Sequence, residues 1–237
     1  MKKNYQLNFQ RHCDDVLAGL EGTRPTLLLH SCCGPCSSYV LEYLTRYFDV
    51  TLLYYNPNIQ PEAEYEKRLF WQREALKHFP AKLMECAYDG AAFEAVAAGC
   101  EAEPEGGERC TRCFRLRLEE TARRAAAGGF DWYCTTLSVS GRKDAVRLNR
   151  IGEALGEAYG VRWLPSDFKK RNGNLRSILL AEAFGLYRQE WCGCRWSRGQ
   201  QQTASGFRSR KERSHENAAA ASGAPDQDRA VYPQSAK

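Results

Sequence analysis

The sequence contains no long hydrophobic run. Its longest apolar stretches, such as residues 26–29, are strand-sized and fall far short of the roughly 18 apolar residues that a membrane helix requires. The N-terminal segment also lacks the continuous apolar stretch of a secretion signal, because Arg11, Asp14 and Asp15 interrupt it. We therefore expect a cytoplasmic protein that makes no membrane contact.

Cysteine is too sparse for a disulfide scaffold. The 237 residues include 11 cysteines, whereas small disulfide-rich domains contain roughly 8–10% cysteine, and an odd number cannot all pair. In a reducing compartment, clustered cysteines more often bind metal or carry out redox chemistry.

The apolar fraction of 43% is sufficient for one substantial core.

Composition changes sharply near residue 197. Residues 198–237 are rich in Gln, Ser, Ala and Arg, with few apolar side chains to offset the entropy cost of ordering. This predicts a single α/β domain over residues 1–197 and a disordered tail over residues 198–237. The tail contains seven basic and four acidic side chains, so it carries +3 of the net charge of +5 and leaves the predicted domain nearly neutral.

Short apolar runs alternate with helix-length amphipathic segments in the predicted domain. The predicted strands occupy residues 26–30, 50–55, 82–86, 132–136 and 161–164. The predicted helices occupy residues 37–47, 62–79, 114–127 and 146–159. This alternation predicts a Rossmann-like, doubly wound parallel sheet with helices on both faces. Ligands of such sheets bind beyond the carboxyl ends of the strands, where polar and sulfur-bearing turns follow in this sequence.

Seven of the cysteines fall into three groups. They are Cys32, Cys33 and Cys36 directly after the first predicted strand, Cys110 and Cys113 in a C-x-x-C motif, and Cys192 and Cys194 in a C-G-C motif. The remaining four are isolated, and the two that lie in predicted strands, Cys86 and Cys134, are typical of buried small hydrophobic residues.

The first two groups could supply four thiolates to one metal centre. A structural zinc site usually combines two C-x-x-C knuckles, but one half of this set is an adjacent pair, Cys32 and Cys33. Adjacent cysteines at a strand-to-helix turn suit an iron–sulfur cluster, because helix amides stabilise thiolates and sulfides. Iron–sulfur, zinc and a metal-free thiol relay all remain open from spacing alone. Cys36 is either a further metal ligand or a helix-start thiol of lowered pKa.

The C-G-C motif favours a redox pair. Cysteines two positions apart close only a small, strained disulfide ring, and strained disulfides have the higher reduction potentials that suit cycling. Gly193 removes a steric obstacle to that ring. An inert thiol pair and a pair of metal ligands are the alternatives.

Six motifs resemble, in the same order, the QueH-type cobalamin-independent epoxyqueuosine reductases. They occupy residues 27–36, 54–59, 109–114, 135–140, 167–170 and 187–194, and the resemblance covers about residues 25–197. One local departure is Trp191, where relatives commonly carry tyrosine. The resemblance implies a nucleotide α-hydrolase-like fold. It also implies an enzyme that removes the epoxide oxygen from epoxyqueuosine at the tRNA wobble position, the final step of queuosine synthesis.

The resemblance also implies cofactors and site residues. It places a 4Fe-4S cluster on Cys32, Cys33, Cys110 and Cys113 and a redox-active disulfide on Cys192 and Cys194. A second, mononuclear iron is associated with the family, and Cys36 is the candidate ligand. Cobalamin is not expected, and the sequence does not identify the electron donor.

Converting an epoxide to an alkene consumes two electrons and two protons, so the site also needs a proton donor. The candidates are Asp167, Tyr187 and His30. Each could instead have a purely structural role: Asp167 as a helix cap, Tyr187 as a packed aromatic ring and His30 as a strand-end residue that is hydrogen-bonded to backbone.

Substrate tRNA would require phosphate contacts and stacking surfaces. Two basic clusters are candidates for the phosphate contacts: Arg115, Arg117, Arg123 and Arg124, and Lys169, Lys170, Arg171 and Arg176. The candidate stacking platforms are Tyr54, Tyr55, Trp191 and Trp196.

Two other classes of protein compete with this interpretation. An ATP-dependent tRNA-modifying enzyme of similar fold would need a glycine- and serine-rich phosphate loop after the first strand, where this chain has thiols. A zinc-stabilised RNA-binding module would leave the C-G-C pair without a role.

Overall fold

The computed structural model of the chain describes residues 5–20 and 22–198. Apart from Arg198, the predicted tail therefore lies outside the described residues. None of the described helices combines the length and hydropathy that a membrane span needs.

Five parallel strands form one sheet in the order β3-β2-β1-β4-β5. The strands are β1 (Thr26–His30), β2 (Asp49–Tyr54), β3 (Ala81–Glu85), β4 (Trp132–Thr135) and β5 (Arg162–Trp163). The chain runs from β1 outward to β3, then returns to the other side of β1 for β4 and β5. The doubly wound prediction is confirmed, and the strand order reverses between β1 and β4, where such sheets bind their ligands.

Seven α-helices surround the sheet within the described residues. They are α1 (Tyr5–Ala18), α2 (Gly34–Leu44), α3 (Glu62–Leu76), α4 (Gly90–Ala97), α5 (Glu108–Ala127), α6 (Ala145–Tyr159) and α7 (Gly173–Ala183). A 3-10 helix follows β4 at Thr136–Val139. The predicted start of α5 was wrong by almost two turns, because the helix begins at Glu108 and includes both cysteines of the C-x-x-C motif.

The core lies on both faces of the sheet because strand side chains alternate. Leu27 and Leu29 pack with α1 and α2 on one face, and Leu28 packs with α5 and α6 on the other. Cys134 is fully buried in β4, as predicted, whereas Cys86 is only half-buried after β3.

The turns after the strands meet at one edge of the sheet, as predicted from the parallel topology. Asn56 Nδ2 donates to the carbonyl of Ser31 over 2.8 Å and so links the turn after β2 to the turn after β1. The hydroxyls of Ser138 and Ser166 lie 3.3 Å apart and link the turns after β4 and β5. This edge carries the candidate site.

Candidate functional site

The turn between β1 and α2 brings three thiols together. The sulfurs of Cys32, Cys33 and Cys36 all lie within 4.8 Å of one another. Cys33 is the extended N-cap residue of α2, and Pro35 lies in the first turn of the helix, where its fixed φ fits and no backbone N–H is left to satisfy. Hydrogen bonds from the Cys33 and Cys36 thiols hold the pKa of Cys32 well below its usual range. The turn therefore holds one thiolate among three sulfurs, and Gln189 Nε2 donates to the Cys33 sulfur over 2.8 Å.

His30, immediately before this turn, is fully buried and paired on both ring nitrogens. Its Nε2 donates to the Tyr55 carbonyl over 3.1 Å, since a carbonyl only accepts, and its Nδ1 lies 2.9 Å from Thr135 Oγ1. Burial, followed by the nearby Arg117 charge, lowers the pKa of His30 to about 3. A neutral, fully bonded imidazole favours the structural alternative for this residue.

A small cavity brings the other two cysteine groups together. Its volume is about 20 Å³, and it is lined by Asn58, Phe93, Arg109, Cys110, Cys113, Phe114, Arg117, Lys143, Cys192 and Cys194. The structure thus places the C-x-x-C motif of α5 beside the C-G-C motif, about 80 positions away in sequence. The β1–α2 turn is close by, because Cys32 packs against the same apolar cluster that contains Cys110.

The two sulfurs of the C-G-C motif form a polarised thiol pair. The Cys192 and Cys194 Sγ atoms lie 3.6 Å apart. Their contact holds the pKa of Cys192 well below its usual range, and the Lys143 charge lowers it further. The same contact, followed by burial, raises the pKa of Cys194. Cys192 is therefore the more acidic and more nucleophilic of the two thiols.

This polarisation predicts selective alkylation of the metal-free protein. Only a thiolate reacts with iodoacetamide, so a lowered pKa keeps Cys192 reactive as the pH falls through neutrality, whereas Cys194 stays protonated and unreactive. Of the two cysteines of the C-G-C motif, peptide mass spectrometry after a short pulse at neutral pH should find the label on Cys192 and not on Cys194. Equal labelling of both residues would contradict the polarised pair, and Lys143→Gln should move the labelling of Cys192 to higher pH.

The C-G-C loop is held by the residues that follow β2 and by α3. The buried guanidinium of Arg68 donates from Nη1 to the Cys192 carbonyl over 3.2 Å and from Nε to Glu64 over 2.6 Å. Gln60 N donates to the Gly193 carbonyl over 3.0 Å. These contacts fix the backbone on which both sulfurs stand.

Gly193 tolerates no side chain in this loop. Its φ of +119° lies in the left-handed region, and a Cβ would lie 2.8 Å from Ile59 Cγ1. We expect Gly193→Ala to lower the free energy of unfolding by about 2 kcal/mol, measured by urea denaturation. The matched control is Gly141→Ala, where nothing lies within 4 Å of the added Cβ and φ is not positive. Equal stability of the two variants would contradict the steric argument.

The cavity carries more positive charge than its acids balance. Lys143 Nζ lies 3.4 Å from Glu105. Arg109 and Arg117 are 2% and 4% exposed, yet the ion pairs of α5 in the described structure involve other arginines. The Nε of Arg109 is buried with no hydrogen-bond partner there. Arg109 is partly compensated, because its Nη1 donates to the carbonyls of Cys100 and Glu101. Buried cations require compensation, so four thiols beside Arg117, which has no ion pair in the described structure, fit an anionic metal–thiolate group.

Two predicted proton donors have partners outside the cysteine groups. Asp167 is buried and accepts from Lys169 Nζ over 2.6 Å. The Tyr187 hydroxyl donates to Glu64 over 3.3 Å, and Lys67 Nζ lies 3.7 Å from the centroid of its ring. Tyr187 is thus tied to the carboxylate that also holds Arg68 and, through it, the C-G-C loop.

The predicted tRNA contacts need revision. The prediction that Arg117 is a surface contact was wrong, because the residue is buried in the wall of the cavity. The prediction that Tyr54 is a stacking platform was also wrong, because its ring is fully buried. Most other members of the two basic clusters are paired with acids. These pairs are Arg115–Glu119, Arg123–Glu120, Arg124–Glu120, Lys169–Asp167, Arg171–Asp14 and Arg176–Glu42. Trp191 and Trp196 are half-buried and lie against Arg68 and Arg109.

Lys143 was missed as a candidate site residue, whereas Gln189 belongs to the predicted motif over residues 187–194. Lys143 lies in a short polar loop before α6, and no spacing in the sequence marks it as a cavity residue. Gln189 lies three residues before Cys192, so its place within the C-terminal motif was the available signal. Arg109 was recognisable only as the neighbour of Cys110.

Comparisons with known proteins agree with this geometry. The family model described as Epoxyqueuosine reductase QueH matches residues 27–200. The chain is 38% identical to epoxyqueuosine reductase QueH of Streptococcus pyogenes serotype M1, over 82% of this chain and 79% of that protein. It is 39% identical to the Staphylococcus epidermidis protein of the same name, over 81% and 85% of the two chains.

The fold is also similar to that of a solved structure, the U34-tRNA thiolase NcsA from Methanococcus maripaludis with its [4Fe-4S] cluster. The TM-score is 0.51 at 14% identity, over 83% of this chain and 69% of that one. At this identity the likeness supports the α/β fold class alone. The family match and the curated relatives establish that the chain belongs to the epoxyqueuosine reductase QueH family.

Proposed function

We propose that this chain reduces epoxyqueuosine in tRNA to queuosine at the edge of the sheet where its cysteine groups meet. The observation that carries the proposal is the convergence of the C-x-x-C and C-G-C motifs on one cavity, in a chain whose relatives are epoxyqueuosine reductases. Residues 1–197 form the catalytic domain.

Cys32, Cys33, Cys110 and Cys113 would hold a 4Fe-4S cluster. The buried charge of Arg117 and the unpartnered Nε of Arg109 support an anionic group at this position. Cys36, whose sulfur lies within 4.8 Å of those of Cys32 and Cys33, is the thiol available to a second iron. When bound, the cluster and iron supply an electron store and a Lewis acid for the epoxide oxygen.

Cys192 and Cys194 would supply the reducing equivalents. Loss of the epoxide oxygen as water leaves an alkene and consumes two electrons and two protons. Oxidation of a Cys192 thiolate and a Cys194 thiol to a disulfide releases two electrons and one proton, so one turnover forms one Cys192–Cys194 disulfide and takes its second proton from another donor, for which Tyr187 is a candidate. The 3.6 Å separation of the two sulfurs and their opposite pKa shifts suit this bond.

The remaining polar residues would position the reacting groups. Arg68 fixes the carbonyl of Cys192, and Lys143 favours the Cys192 thiolate. Tyr187 is the proton-donor candidate that lies nearest in sequence to the dithiol, and Glu64 accepts from its hydroxyl. An external reductant must return the disulfide to the dithiol after each turnover.

The test is a reconstitution assay with defined tRNA. Protein loaded anaerobically with iron and sulfide is incubated with epoxyqueuosine-containing tRNA and dithionite, and the nucleosides are analysed by mass spectrometry. We expect brown protein and conversion to queuosine. Unchanged epoxyqueuosine with fully loaded protein would contradict the proposed function. A colourless protein that retains zinc and binds tRNA without reducing it would support a zinc-stabilised RNA-binding module.

A further inference from the structure

Among the described residues, Arg117 is a buried cation that forms no ion pair with an acid. It lies on α5, one turn after Cys113, and is 4% exposed. Its Nε donates to the Cys113 carbonyl over 3.3 Å, and its guanidinium lies 5.8 Å from the centroid of the Phe114 ring. Arg68, the fully buried arginine of α3, instead has Glu64 at 2.6 Å. Arg117 therefore keeps a buried charge in a setting that does not compensate it.

The groups that face Arg117 increase this imbalance. Lys143 is a second cation close enough to influence it, and the nearby His30 is neutral. Among the described residues no carboxylate forms an ion pair with Arg117, and the thiol on which its charge acts is that of Cys113. An uncompensated buried ion costs several kcal/mol. The position is favourable only when the sulfurs around it carry negative charge.

Arg117 is near both elements that carry the proposed ligand set. Its charge acts on His30, which is two residues before Cys32, and on Cys113. The guanidinium is therefore close to the end of β1 as well as to α5. A cluster held by cysteines from both elements would therefore act more strongly on Arg117 than on the arginines of the exposed face of α5.

We propose that Arg117 balances the charge of the iron–sulfur cluster and raises its reduction potential, an inference that rests on the proposed function. Reduction adds one negative charge to a cluster, so a nearby buried cation stabilises the reduced form more than the oxidised form. The same arginine destabilises the metal-free protein, in which no cluster charge offsets the buried guanidinium. Its removal should therefore have opposite consequences in the two forms of the protein.

The first measurement is the reduction potential of the loaded protein. Wild type, Arg117→Met, Arg117→Lys and the control Arg115→Met are titrated with dithionite and followed by electron paramagnetic resonance. Arg115 is on the same helix but is exposed, with Glu119 at 3.9 Å. We expect Arg117→Met to lower the equilibrium constant for cluster reduction about tenfold, a potential shift of about 59 mV. Arg117→Lys should restore most of this shift, and Arg115→Met should match wild type.

The second measurement is thermal unfolding of the metal-free proteins. Arg117→Met should unfold at a higher temperature than wild type, because an apolar side chain replaces an uncompensated buried charge. A merely structural arginine would give the opposite result. If Arg117→Met takes up no iron while Arg117→Lys does, the requirement for a positive charge is supported.

Two results would overturn the proposal. One is an unchanged potential in loaded Arg117→Met, and the other is a lower unfolding temperature of its metal-free form. Failure of the wild-type protein to assemble a cluster is a separate outcome, because it would overturn the proposed function together with this inference.

Discussion

Replacement of Cys192 by serine is expected to lower the rate of queuosine formation on the order of a thousandfold or more. Cys192 is the more acidic thiol of the pair, because its contact with Cys194 and the Lys143 charge both lower its pKa. A serine hydroxyl cannot close a disulfide or release the electrons that epoxide reduction consumes. The measurement is the initial rate of queuosine formation with a thiol reductant, determined by nucleoside mass spectrometry.

The loss must be separated from damage to the metal site. Cys192 is not among the proposed cluster ligands, so Cys192→Ser should retain the iron and sulfide content of wild type. The control is Cys86→Ser, which changes a half-buried thiol after β3 and should leave the rate unchanged. If Cys192→Ser forms queuosine at the wild-type rate, the Cys192–Cys194 dithiol is not the source of the electrons.

Replacement of Cys113 by serine is expected to reduce the iron and sulfide content of the protein about tenfold or more. Cys113 lies in the second turn of α5 and faces the cavity, so its loss removes a thiolate without disturbing the sheet. Brown colour, iron, sulfide and activity should all fall together. Cys33→Ala should behave in the same way, since it removes a ligand from the other half of the set.

A different pattern would contradict the proposed ligand set. If Cys113→Ser and Cys33→Ala both retain full iron and sulfide, the cluster is held elsewhere. The matched control is Cys134→Ala, because Cys134 is buried in β4 among apolar neighbours. It should lose some stability while keeping its iron content.

The sheet was predictable because its strands differ strongly in composition from their surroundings. The predicted bounds of β1 match the structure, and β2 differs by one residue at each end. Helices α1, α4 and α7 were missed. Helix α4 is short and consists mostly of small apolar residues, so it shows little contrast between its faces. In α7, Leu175 and Leu179 point toward solvent and blur the amphipathic pattern.

The candidate site was only partly predictable, because spacing along the chain identifies thiols but not the charges around them. The cysteine groups could be found as motifs, and the rule for parallel sheets placed their turns at one edge. Nothing in the sequence distinguishes Arg117, which is buried beside the thiols, from Arg115, which is exposed two residues earlier. That difference depends on the packing of α5 against the sheet.

A single-turnover experiment tests directly whether the Cys192–Cys194 dithiol supplies the electrons that reduce epoxyqueuosine. Iron-loaded, prereduced enzyme is freed of external reductant and mixed anaerobically with excess epoxyqueuosine-containing tRNA. Queuosine and the Cys192–Cys194 disulfide are then quantified in the same quenched samples. We expect one Cys192–Cys194 disulfide for each queuosine formed, and we expect the disulfide and the queuosine to appear at the same rate. Queuosine formation while both cysteines remain free thiols would contradict this expectation.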